Sequence, residues 1–413
     1  MISKIPASFF SKYNNINIYV KRFYSAFMPR INHKSKNIGL CTLTGAKCIN
    51  PVVTSLLKNI PISIRSKLTP KLFFKVLTSL AIQRLSIHSI QSICSKIPCE
   101  NSLHHHLKKI DLELLKEVNH LMFAEQIKPL IKPGKKYEFA IDFTDDPYYG
   151  DKNGYYVVGG KRKASTNYFF SYATCYLIDG KRKFTIAVLP NGPDLSLVDS
   201  VITFIKIIDE LGVKVKFLCI DREFYTHAVM SYLQSMDIPF IIPVKVQGNK
   251  MKESLKVQSS CCFDYIMNPT GEEPLYLNIV VCVKYLKGKK DKSGLEIHAF
   301  SVGSFTLEPK KVSKIYKRRF SIESSYRIRN TSKPRTSSKK PQVRYLYTII
   351  SFLIQNYWVI LQWTYFVKRQ PGPKTIDEDK FRFDTFKLII WNYFEKLFRI
   401  PNGVITLSNI TYD

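Results

Sequence analysis

A chain of 413 residues with 45% apolar content is long enough for two or three substructures around a real core, which excludes a disordered tail. Its 63 basic residues against 32 acidic ones leave a formal charge of +31, far beyond what solubility requires, so the expected partner is a polyanion, nucleic acid ahead of an anionic membrane. Nine cysteines without a C-x2-C pair exclude a zinc ribbon and an even secreted framework, and they read as reduced intracellular thiols.

Residues 1–99 hold 15 Lys plus Arg and no acid, the first being Glu100. No continuous apolar run opens the chain, so no secretory signal is expected. Residues 1–50 lack periodicity and read as a basic arm; residues 51–128 read as a helical domain. Helices are predicted over Pro70–Leu85 and Ser86–Lys96, followed by a break at Pro98–Glu100 and a third helix with Asn101 as its N-cap. Helix, break, helix is a helix-turn-helix outline, and the third helix would turn Asn101, Ser102, His104, His105, Lys108 and Lys109 toward a DNA groove. The spacing of Cys94, Cys99, His104 and His106 departs from zinc-finger patterns, so the histidines are read as facing solvent or DNA. A helix over Asp111–Ile127 leads to a linker at Pro129–Lys136.

A different regime starts at Tyr137. Tyr137–Asp142 is a predicted strand ending in a carboxylate, with a turn over Phe143–Gly150. Asn167–Ile178 and Phe184–Leu189 form a hairpin around Asp179-Gly180. A helix over Leu195–Leu211, a strand over Lys214–Ile220 ending at Asp221, a helix over Glu223–Met236 and a strand over Pro239–Val246 come next. Three antiparallel strands, helix, strand, helix, strand is the order of the RNase H-like fold, whose first and fourth strands are neighbours. Asp142 and Asp221, 79 positions apart, are therefore expected at one sheet edge. Either alone reads as a turn or helix cap; two acids at matching strand ends point beyond capping. The 101 residues between Asp221 and Glu323 exceed a plain connection. Within them Leu275–Tyr285 and Leu295–Val302 read as strands, separated by a basic turn at Lys287–Lys292.

In a continuous helix over Tyr316–Arg327, the residues Tyr316, Arg319, Glu323 and Arg327 would share one face. The ordinary reading is a solvated ion pair between Arg319 and Glu323. Tyr, two residues, Arg, three residues, Glu is also the core of the Y-R-E-K signature, and the chain resembles the branch of DD-E transposases of bacterial and archaeal insertion sequences that carries it. The likeness covers about Tyr137–Leu361. The signature's Lys falls on Asn330, with Arg327 and Arg329 beside it. Thr331–Lys340 reads as a flexible basic loop able to reach DNA. Val343–Val367 is 25 residues long with 18 apolar or aromatic. That length would span a membrane, but Gln355, Asn356 and Gln362 in its middle favour a buried helix of a soluble core. Phe381–Phe398 is the last predicted helix.

The resemblance implies an α/β protein: an RNase H-like mixed sheet with flanking helices over residues 137–367, a mostly β insertion at about 247–310, an α-helical N-terminal domain before it and a C-terminal helical segment over 368–413. It implies Asp142, Asp221 and Glu323 as catalytic ligands of two Mg2+ or Mn2+ ions, since in-line phosphodiester displacement uses paired divalent cations. Asp145 and Asp146 compete with Asp142 but fall in the expected turn. Tyr316 and Arg319 would contact transposon-end phosphates, and Arg327 would do part of the missing lysine's work. The implied activity is metal-dependent strand cleavage and strand transfer by a cytoplasmic, DNA-associated homodimer acting on terminal inverted repeats and target DNA, with no membrane partner. A transposase-derived DNA-binding protein without catalysis is the second reading, and a membrane-associated basic protein the third.

Overall fold

The computed structural model describes residues 42–64, 68–94, 96–268, 273–285, 294–368, 372 and 374–400. The basic arm expected over residues 1–50 falls almost entirely outside them, as do the basic turn Lys287–Lys292 and the chain beyond residue 400.

The sheet is organised around β1 (Lys136–Pro147), whose run Phe139–Ile141 is buried, as in a strand covered on both faces. β3 (Thr166–Asp179) pairs antiparallel with it from Glu138↔Ile178 to Pro147↔Phe169. On the other side β5 (Lys214–Ile220) pairs parallel with it, ending at Ile141↔Ile220. β2 (Val157–Lys163) and β4 (Arg182–Pro190) both flank β3, and β6 (Phe240–Pro243) lies parallel to β5. The helices α6 (Leu197–Glu210) and α7 (His227–Ser235) make the crossovers into β5 and β6. The result is the expected RNase H-like mixed sheet with flanking helices. One expectation fails: β1 does not end at Asp142. It stays paired with β3 through Pro147, and Thr144 and Asp146 alternate inward along it, so the turn expected over 143–150 begins later.

The insertion contains α8 (Gly248–Ser254), β7 (Cys261–Met267), β8 (Leu275–Tyr285) and β9 (Leu295–Gly303). Its strands are not a separate small sheet. β9 pairs antiparallel with β6, Phe240 opposite Gly303, so the order β6-β9-β8-β7 extends the main sheet. A Cβ at Gly303 would lie 2.1 Å from the Phe240 ring, so this join needs glycine.

Among the described residues, five α-helices precede the sheet: α1 (Gly45–Asn59), α2 (Pro70–Gln83), α3 (Ile87–Ile93), α4 (Glu100–Lys108) and α5 (Leu112–Ile127). Thr44, Thr69, Ser86 and Asp111 cap four of them with side-chain oxygens. Asn101 is not a cap. Gln91 of α3 accepts the Glu100 N–H at 2.7 Å, which satisfies a free donor of α4 from a neighbouring helix and lets the helix start earlier. The structure draws no boundary between these helices and the sheet, and Thr44–Asp413 clusters as one unit. α5 donates from Gln126 to the Leu353 carbonyl of α11 (Pro341–Tyr365) at 3.0 Å, and α2 donates from Lys75 to Tyr393 of α12 (Phe383–Phe398) at 2.8 Å. Two of the three amides in the middle of α11 are used within the protein: Asn356 exchanges hydrogen bonds with both backbone groups of Thr185, and Gln362 donates to the Phe381 carbonyl. No described helix is long and apolar enough to cross a membrane.

Candidate active site

Parallel pairing of β1 and β5 stops at Ile141↔Ile220, so the next residue of each strand leaves the ladder beside the other. These are Asp142 and Asp221, and the Asp221 N–H donates to the Ile141 carbonyl at 3.0 Å. The Asp142 carboxylate accepts the Phe143 N–H at 2.9 Å, and that of Asp221 caps the single turn Arg222–Phe224.

One cation joins them. Arg319 Nη1 lies 2.7 Å from Asp142 Oδ2 and Nη2 lies 3.1 Å from Asp221 Oδ1, with the residue only 6% exposed. The guanidinium also sits 5.2 Å from the Tyr316 ring centre and 5.4 Å from that of Phe320. Burial pushes the Asp142 carboxyl up to about 7, opposed by the Arg319 charge and assisted by the like charge of Asp221. Burial works against the charge of Arg319, but Asp142 above all holds it protonated.

The helix expected across Tyr316–Arg327 is broken. α9 (Pro309–Lys317) ends, and α10 (Ser321–Asn330) begins after a segment in which Arg318, Arg319, Phe320, Ile322 and Glu323 donate three residues back rather than four. Three residues per turn stack positions 316, 319, 322 and 325 on one line. That line is buried: Tyr316, Arg319, Ile322 and Ser325 all face inward. Glu323 falls off it, is exposed, and forms no ion pair among the described residues, so the solvated Arg319–Glu323 pair is absent. The structure thus brings two of the three predicted acids together and leaves Glu323 outside the pair. Among the described residues, no three His, Cys, Asp or Glu side chains gather closely enough to hold a metal ion.

The other predicted residues divide by burial. The Tyr316 hydroxyl donates to the Ile220 carbonyl at 3.4 Å, so it faces the sheet, whereas a DNA phosphate would need it outside. Arg327 is exposed, as are Asn101, His105, Lys108 and Lys109, and Ser102 is half-buried. The competing acids are engaged elsewhere: Asp145 with Lys163 at 2.9 Å, and Asp146 with Lys333 and with Thr348. Lys333 belongs to the stretch expected as a flexible loop. That loop is tied down, Arg335 N–H donating to the Leu85 carbonyl at 3.0 Å and Arg344 Nε to that of Ser338 at 2.6 Å.

Sequence reading missed Glu223, two residues past Asp221. Burial, Asp221 and Asp145 push its carboxyl up, and Lys163 opposes them. The signal was its place in the turn that Asp221 caps. Chemically, Asp142 and Asp221 offer the hard oxygens that Mg2+ takes, and a guanidinium already stands where positive charge is stabilised, so the pair fits a divalent cation. A family model described as a transposase DDE domain matches residues 133–357, more than half of the chain. No curated protein sequence matches it.

Proposed function

The chain belongs to the transposase DDE domain family, and on that premise we propose that it binds transposon-end DNA and catalyses strand cleavage followed by strand transfer, with Asp142, Asp221 and Glu323 as its acidic residues. The observation that carries this reading is the meeting of Asp142 and Asp221 under one guanidinium where β1 and β5 part. Two Mg2+ or Mn2+ ions, when bound, would activate the attacking oxygen and stabilise the leaving one. Asp142 and Asp221 are the residues to hold them. Glu323 can join the pair only when the segment Arg318–Glu323 rewinds, because it now lies off the buried line. Arg319, freed from the two carboxylates, offers a planar fork suited to a phosphate of the DNA. The exposed side of α4, with Asn101, His105, Lys108 and Lys109 and with Ser102 at its margin, contributes phosphate and base contacts from the helical segment 51–128. The working complex is a homodimer on paired DNA ends.

The test is cleavage and joining of a labelled transposon-end duplex by wild type, Asp142→Asn, Asp221→Asn and Glu323→Gln, in Mg2+ and in chelator, beside a binding titration. Each variant loses cleavage by orders of magnitude and keeps DNA binding. Wild-type cleavage in chelator, or normal rates in the variants, overturns the assignment. The exposed position of Glu323 favours a second reading, DNA binding without catalysis, for which the wild type binds the duplex and cuts it in neither condition.

A further inference from the structure

β2 and β3 join in a hairpin at the edge of the sheet, and every residue from Gly159 to Ser165 is exposed. The run carries three cations. Lys163 anchors its base, with Nζ 2.9 Å from Asp145 Oδ2 and 5.9 Å from the centre of the Phe169 ring. Lys161 and Arg162 form no ion pair among the described residues, and they lie where the register with β3 slips between Gly159 and Lys163, so the ladder does not fix them. The turn itself is held: Ala164 and Ser165 both take left-handed backbone, at φ 48° and 65°, and the Tyr149 hydroxyl donates to the Ala164 carbonyl at 2.7 Å. The hairpin thus presents two cations from a preset frame. Gly159 adds a second observation. Its φ lies outside the left-handed region and a Cβ there would meet nothing within 4 Å, so neither conformation nor packing requires glycine, although glycine weakens a strand.

Basic side chains on an edge strand also keep a second strand from pairing, but that role gives no reason for a glycine that leaves the edge backbone bare. Cations beside bare backbone match a phosphodiester chain, which takes contacts from Lys, Arg and backbone N–H alike. The hairpin also stands at a set distance from the paired acids. Asp145, which anchors Lys163, comes three residues after Asp142 on β1, about 10 Å along a strand and about three nucleotides along one strand of a duplex. We propose that the hairpin grips the duplex flanking the transposon end, Lys161 and Arg162 meeting its phosphates and Gly159 admitting its backbone. Phosphate contacts position DNA without reading sequence, as suits a flank that differs with each insertion site. The assignment rests on the DNA-acting reading above and adds to it a surface for DNA outside the element.

The test is binding, measured by fluorescence anisotropy with the full-length protein in chelator. Three labelled duplexes are used: the inverted-repeat end that borders the coding sequence, cut flush; that end with about ten flanking pairs, one helical turn; and that end with the same flank scrambled. Wild type binds the two extended duplexes equally, and both more tightly than the flush end. Lys161→Gln/Arg162→Gln lowers affinity for the extended duplexes about five- to tenfold, reduces their slope of log K against log salt by roughly 2, and leaves binding of the flush end unchanged. Gly159→Val, which fills open space, keeps the thermal midpoint and loses the same gain. Equal wild-type binding of flush and extended duplexes, variants that bind like wild type, an equal loss on the flush end, or a gain that depends on the flank's sequence overturns the hairpin assignment and leaves DNA binding in place. Wild type that binds none of the three overturns the DNA-acting reading itself, and the assignment with it.

Discussion

Arg319 holds two carboxylates that would otherwise repel each other where the pairing of β1 and β5 stops, and it does so from a position almost closed to water. A solvent-exposed pair would contribute under about 1 kcal/mol, but removing one partner of a buried pair leaves uncompensated charge. Arg319→Gln is therefore expected to lower unfolding stability by about 3 kcal/mol, at the low end for buried pairs because Asp221 remains partly accessible. Millimolar Mg2+ should recover part of that loss, since a divalent ion offers the two carboxylates the charge that the guanidinium supplied. Urea unfolding with and without Mg2+ reads both effects. A loss under about 0.5 kcal/mol, typical of surface substitutions, would show that the clamp contributes little.

β4 borders β3 on one side only, and its outer edge would be an open template for another strand. Two helices close it. Asn356 of α11 pairs with the N–H and carbonyl of Thr185, Asn119 of α5 accepts the Val188 N–H, and the Tyr345 hydroxyl donates to the Val188 carbonyl. These amides and this hydroxyl do what a further strand would do, at a place where the β3–β4 register slips between Cys175 and Tyr176. Asn356→Leu keeps the volume and removes both bonds, leaving two buried backbone groups unpaired. Stability should fall by about 2–6 kcal/mol, from roughly 1–3 per unsatisfied group, and the variant should aggregate near its thermal midpoint. Thermal unfolding with light scattering tests this; a shift of under about 2 °C would mean that water replaces the amide at the edge.

The formal charge of +31 acts at the scale of the whole molecule, where it draws a polyanion before any specific contact forms. Within it, Lys108 and Lys109 stand exposed at the end of α4, on the side that the proposed function gives to DNA. Replacing both by Gln should weaken binding of any duplex and reduce the slope of log K against log salt by roughly 2, close to one for each lost phosphate contact. Titrations between roughly 50 and 200 mM salt measure it, and an unchanged slope would remove α4 from the interface. The measurement needs the full chain, because α1, α2 and α5 share their packing with α11 and α12.

Much of the sheet was legible in the residues: strands with buried apolar runs, the hairpin at Asp179-Gly180, and the strand order that brings Asp142 to Asp221 all rest on local periodicity and a topological rule. β2 and β7 were not, because Val157–Lys163 carries two glycines and three basic residues in place of alternating apolar ones, and Cys261–Met267 sits at the sheet's outer edge. The pairing of Asp146 with Lys333 spans 187 residues, and no local pattern encodes it. The arginine, tyrosine and glutamate spacing was visible, but its geometry was not. Three- and four-residue hydrogen bonding interchange readily in short segments and at helix ends, so the sequence by itself determined only that a basic helical segment with one glutamate comes after the insertion. Packing against the sheet decided the rest: it selected the three-residue turn that buries Tyr316, Arg319 and Ile322, set Arg319 between the two aspartates, and left Glu323 facing solvent.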